Sequence, residues 1–200
     1  MPNVSKPMGL SPVGYLNGAP WNSQGRTYAI AANNVNAFAI GDPLVLAGGT
    51  TADGVPLVTL ATAGTGNAIV GVLLGDGGLY QGAAFVDPSN LDNATIPAVK
   101  TRVYYVMVAD DPNTVFEVQE GGAGAAITAA NGTRNFNLLS GVNNGYLSGW
   151  QMDNASGAVG ATLQLKSLGL VPRADNAFGT YAKWRVIINN HQYRSGTVGV

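Results

Sequence analysis

Two hundred residues with 28 Gly, 10 Pro, one His and no Cys exclude several chemistries at once: disulfides, thiol nucleophiles and thiolate metal sites all need cysteine, and a single His cannot build a histidine metal cluster. Ten Lys and Arg stand against eleven Asp and Glu, for a net charge of −1, which gives no electrostatic drive toward nucleic-acid phosphate. The basic residues Arg173, Lys183, Arg185 and Arg194 near the C-terminus are expected to match acidic patches on a partner. Charged residues make up 10% of the chain, where about a quarter is usual, so the surface is held in water by amides and hydroxyls or is covered by neighbours. With 46% hydrophobic residues the chain is expected to fold, as one domain with an appendage. No segment approaches the roughly eighteen apolar residues of a membrane span, so no membrane partner is expected. The first residues lack the basic and apolar regions of an export signal. The Asn-x-Ser/Thr triplets at Asn3, Asn93, Asn131 and Asn154 are therefore read as chance in an Asn-rich chain.

Residues 1–25 carry Pro2, Pro7, Pro12 and Pro20 with Gly9, Gly14, Gly18 and Gly25. Proline blocks helix interiors and removes ladder donors, so an extended N-terminal arm is expected. The arm also holds Met8, Leu10, Tyr15 and Trp21, which a free linker would not retain. These four are the candidate interface residues, because aromatic side chains dominate contact energetics. Two destinations are open to the arm, a partner's surface or its own domain.

From residue 26 to 193 the pattern is that of an all-β domain, a β-sandwich or a barrel, with 194–200 as a C-terminal tail. Strands are predicted at 26–31, 43–47, 56–61, 68–74, 99–109, 114–119, 161–171 and 180–189. Between them stand turn formers such as Asn33-Asn34, Gly48-Gly49, Asp53-Gly54, Gly75-Asp76-Gly77-Gly78 and Asn143-Asn144-Gly145. In the last strand Ala182, Trp184, Val186 and Ile188 share one face, and Tyr181, Lys183 and Arg185 the other. The same alternation puts Phe116 and Val118 inward and Glu117 and Gln119 outward. Residues 103–108 are apolar on both faces, as in a central or covered strand. The apolar phase slips between Leu165 and Leu168, which predicts a bulge near Lys166-Ser167. Helix is scarce; only 123–130 and 173–178 offer a turn or two.

Candidate chemistry is thin. Asp110-Asp111-Pro112-Asn113 with Glu117 and Glu120 is the densest carboxylate cluster, but it has no calcium-loop rhythm and reads as a turn. His191 lies among amides without a nucleophile elbow. Neither Gly64-Thr65-Gly66 nor Gly121-Gly122-Ala123-Gly124 fits a nucleotide fingerprint. No catalytic residue, metal or cofactor is therefore assigned, and the chain is not expected to be an enzyme.

The order of several blocks resembles a family of tailed-bacteriophage virion proteins, the head decoration or cement proteins. These blocks are Lys6-Pro7-Met8-Gly9-Leu10, Gly41-Asp42-Pro43-Leu44-Val45-Leu46, Ile69-Val70-Gly71-Val72-Leu73, Val103-Tyr104-Tyr105-Val106 and Phe116-Glu117-Val118-Gln119-Glu120. Ala161-Thr162-Leu163-Gln164-Leu165-Lys166, Ala182-Lys183-Trp184 and Ile188-Asn189-Asn190-His191-Gln192 complete the series. The resemblance implies an all-β subunit on the capsid exterior of a virion assembled in a bacterial cytoplasm. Its partner would be the major capsid protein, and the subunit itself a homo-oligomer, trimer or dimer. A tail- or fibre-associated β-sandwich binding host-surface carbohydrate through Trp21, Trp150 or Trp184 is the alternative expectation. A glycosidase using Asp110 or Asp111 with Glu117 is the third.

Overall fold

The computed structural model describes residues 3–76, 95–144, 147–194 and 196. The protein is all-β, with no helix among the described residues, and the two short segments predicted as helical turns are irregular. One of them is fixed by Asn154, whose side chain accepts from Gly124 N–H (2.9 Å) and donates to Gly124 C=O (3.2 Å). The backbone groups a helix would have used are thereby taken by a side chain.

The first strand, β1 (Ser11–Tyr15), lies inside the predicted arm. Five later strands close a barrel in the order β2-β4-β3-β5-β6: β2 (Arg26–Ile30), β3 (Pro43–Thr50), β4 (Pro56–Leu60), β5 (Gly71–Asp76) and β6 (Tyr104–Ala109). Closure removes the unpaired edges that such short strands would otherwise present. Alternation fills the interior with Tyr28, Ile30, Leu44, Val58, Val106 and Val108. One end is capped by Phe38 and Ile96, whose backbones exchange two hydrogen bonds of 2.9 Å. Over that cap sits Lys100, its ammonium donating to the carbonyls of Asn34 (2.8 Å) and Asn36 (2.6 Å) and lying 5.2 Å from the Phe38 ring centroid. Burial holds its pKa below the usual lysine value.

The remaining strands form a sheet in the order β8-β11-β12-β7-β10-β9, with β1 also pairing antiparallel to β7. The ranges are β7 (Thr114–Gly121), β8 (Asn135–Phe136), β9 (Leu138–Leu139), β10 (Gln151–Asp153), β11 (Leu165–Leu170) and β12 (Lys183–Ile188). The inward face of β12 is as the alternation predicts, with Ala182, Trp184, Val186 and Ile188 at 1% exposure or less. Phe116, Phe136, Met152 and Leu165 pack around them, and Ile69, Val72 and Ala109 from the barrel side complete the same core. The barrel therefore has a core of its own and, through Ile69, Val72 and Ala109, also contributes to the core of the sheet.

Polar side chains sew the two together. Gln164 is fully buried: its carbonyl accepts from Gly64 N–H and Leu138 N–H, both 3.0 Å, and its amide donates to Thr62 O (2.8 Å) and Asn67 O (3.2 Å). Farther along, Ile69 N–H donates to Asn190 O and Ile69 O accepts from Gln192 N–H, each 2.9 Å.

The bulge predicted near Lys166-Ser167 is present between Ser167 and Gly169, and it turns Leu168 outward. β7 departs from its expected pattern. All eight of its residues are buried, Glu117 and Gln119 included, because that face is covered. The Gln119 carboxamide accepts from Lys6 N–H (2.8 Å) and donates to Val4 O (2.9 Å), so it pairs with the N-terminal segment as a peptide group would. Of the expected turns, residues 77–78 and 145 lie outside the described residues, as do Asn93 and, apart from Arg194 and Gly196, the 194–200 tail.

Candidate functional site

The structure separates the four residues expected at an interface. Leu10 is 1% exposed and belongs to the core between barrel and sheet, so the expectation that it anchors a partner is corrected. Its N–H donates to Gly41 O (3.0 Å) at a backbone crossing where Gly9 has φ +67 and a Cβ on it would lie 2.5 Å from Ser148 Cβ. Only glycine tolerates both conditions. The arm thus lies on its own chain, held at one end by Asn3, which donates to Ala177 O (2.8 Å), and at the other by β1.

Met8, Tyr15 and Trp21 remain half-buried, and three clefts run along their segment. Met8 and Trp21 line one of about 350 Å³ with Ile40, Leu74 and Leu147. Tyr15 borders two more, a groove of about 410 Å³ reaching Leu168 and Arg185 and a polar cleft of about 570 Å³ containing Arg26, Asp110 and Asp111. Tyr15 and Trp21 have ring centroids 5.5 Å apart, and Tyr15 Oη donates to Asn22 Oδ1 (2.8 Å). The arm's outer side is therefore a row of hollows edged by aromatic rings.

The carboxylate cluster is engaged internally. Asp110, 6% exposed, accepts from Tyr28 Oη at 2.7 Å and pairs with Arg26 at 3.5 Å. Burial, then bonds to Tyr193 and Asp110, holds the Tyr28 hydroxyl protonated far above its usual range. Asp111 closes a turn by accepting from Asn113 N–H (2.8 Å), as the sequence predicts. Glu117 pairs with Arg173 at 3.0 Å and Lys183 at 3.9 Å. Glu120 is fully buried and accepts from Trp184 Nε1–H at 2.8 Å; burial raises its pKa, and the hydrogen bonds from Trp184 and Ile127 partly offset this. His191 Nδ1 accepts from Tyr193 N–H (3.1 Å), which places the ring proton on Nε2. Burial, with the positive charge of Arg194, lowers the His191 pKa to about 4. No group of three or more His, Cys, Asp or Glu that could hold a metal occurs among the described residues.

Trp150 and Trp184, offered by the carbohydrate reading, are 3% and 0% exposed in the core and cannot present a ring face to a sugar. Trp21 alone of the three is reachable. Comparison with protein-family models, curated proteins and solved structures finds no match to this chain.

Proposed function

We propose that this protein is a non-catalytic capsid decoration (cement) protein. In this reading it binds the outside of a bacteriophage head as a dimer or trimer and stabilises the major capsid protein shell by bridging capsomers. The observation that carries the reading is the run of three clefts along residues 8–26, edged by half-buried Met8, Tyr15 and Trp21. This is a contact surface without an attached reactive group, since the nearby carboxylates are already bonded within the fold. Such contacts are modest singly but add when repeated around a shell. The charge-poor composition supports the same reading, because large permanent interfaces are depleted in charge.

A cryo-EM map of particles purified from the host that makes the chain tests this. Density on the head exterior is the expected result. Density on the tail or fibres selects the carbohydrate-binding alternative, for which the half-buried Tyr15–Trp21 pair is the feature to examine. Absence from the particle rejects both readings.

A further inference from the structure

Two β-bulges on strands that are not neighbours push apolar side chains into one groove. On β1 the register with β7 shifts between Pro12 and Gly14, which turns Val13 outward at 40% exposure. On β11 the shift between Ser167 and Gly169 does the same for Leu168, also at 40%. Both residues line the groove of about 410 Å³, which has Val115 of β7 and Arg185 of β12 between them and Leu16 on the rim formed by residues 14–20. It therefore spans β1, β7, β12 and β11, and two departures from regular pairing aim side chains into it. Bulges act by re-aiming side chains and ending pairing. Exposed apolar side chains gathered in one groove, here Val13, Leu16 and Leu168, are otherwise a liability.

Charge indicates the occupant. Arg185 stands opposite Glu117 in the β12–β7 ladder, but Glu117 is held by Arg173 and Lys183. The side chain of Arg185 has no ion pair or hydrogen bond among the described residues. Three cations thus face Glu117 and the exposed Asp175, which pairs with Arg173 at 3.3 Å. The local excess is one positive charge, placed beside an apolar trough. We infer that the groove docks a polypeptide segment of a partner protein in which a large apolar side chain adjoins a carboxylate. The apolar side chain seats between Val13 and Leu168, and the carboxylate pairs with Arg185. The groove is one of the three clefts that support the shell reading, but its docking role is argued from Val13, Leu168 and Arg185 and holds for a partner of either kind.

The test is a yeast-displayed library of random twelve-residue peptides, sorted against the full chain and counter-sorted against Leu168→Asp and Arg185→Glu. Both side chains are exposed, and thermal midpoints matching the parent show that the variants fold. The expected result is enrichment of Asp or Glu within two positions of Leu, Ile, Met or Phe. A synthetic consensus peptide should bind Arg185→Glu at least tenfold more weakly than the parent, with affinity recovering when its carboxylate is changed to Lys. No enrichment over the variants, or enrichment without regard to charge, overturns the proposal. Micromolar self-association of the parent in sedimentation, lost in Arg185→Glu, also overturns it by making a second copy the occupant. If Arg185→Glu still decorates heads normally while the peptide selection fails, the groove assignment falls and the shell reading stands.

Discussion

Replacing Gln164 by Met keeps the volume of the side chain and removes every hydrogen bond it makes. Four main-chain groups lose their partner: Gly64 N–H, Leu138 N–H, Thr62 O and Asn67 O. The Leu138 bond is buried, so its donor bears the full penalty of about 1–3 kcal/mol for an unsatisfied group. The other three are part-buried and can turn to water, at about 0.5–1 kcal/mol each. The sum is about 2.5–6 kcal/mol, which for a chain of this size lowers the melting midpoint by about 5–24 °C. Urea titration followed by tryptophan fluorescence is the assay, since Trp150 and Trp184 lie in the core that barrel and sheet share. Because Gln164 joins the two parts, Gln164→Met should also split the transition, with tryptophan fluorescence lost before far-ultraviolet dichroism. A loss below about 1 kcal/mol with one coincident transition would refute the role assigned to this side chain.

Glu120 and His191 give pH dependences of opposite sign. Burial raises the Glu120 pKa in the folded state, so the native protein binds that proton more tightly than the unfolded chain. Stability from this group is complete below the ordinary carboxylate range and is lost as pH rises through the raised value. Glu120→Gln should therefore melt higher than the parent at pH 7.5 and at the same temperature as the parent at pH 4; a difference that persists at pH 4 contradicts the explanation. For His191 the folded pKa falls to about 4 from 6.5, so stability is lost as pH drops through that window, on the order of 3 kcal/mol in total. The chain has one His, so its ring proton is unambiguous in an NMR titration, and a midpoint near 6.5 would show that the ring is solvated.

Strands whose own residues record a buried face were legible: β12 through Trp184, Val186 and Ile188, and the barrel strands through runs such as Val106 to Val108. β8, β9 and β10 were not, because two or three residues carry no period and these strands exist only by their partners. β1 was hidden by Pro12 and the prolines on either side of it; Pro12 is accommodated because the register of the pairing with β7 breaks next to it. Glu117 and Gln119 read as solvent-facing because alternation reports which face a side chain takes and not what covers it. Their covers, Arg173 and the Val4–Lys6 backbone, lie 56 or more positions away. The same limit applies to the candidate site. Tyr15 and Trp21 could be picked out from residue type, whereas Leu10 needed the fold to reveal that the core claims it. The bulge at Leu168 left a trace in the sequence as a phase slip, but the one at Val13 left none.

The ladder between β1 and β7 joins Ser11 to Glu117, so during synthesis β1 stays unmated until roughly a hundred more residues have emerged. Contacts this distant along the polymer slow the search for the native state. In that interval the nascent β1 offers its unpaired backbone groups to any neighbouring polypeptide. Gly9 and Gly41 also meet backbone to backbone, which makes this crossing a second clasp on the segment that precedes β1. Dense synthesis in one compartment would set that clasp against its intermolecular rivals, and dilution would favour the correctly closed product.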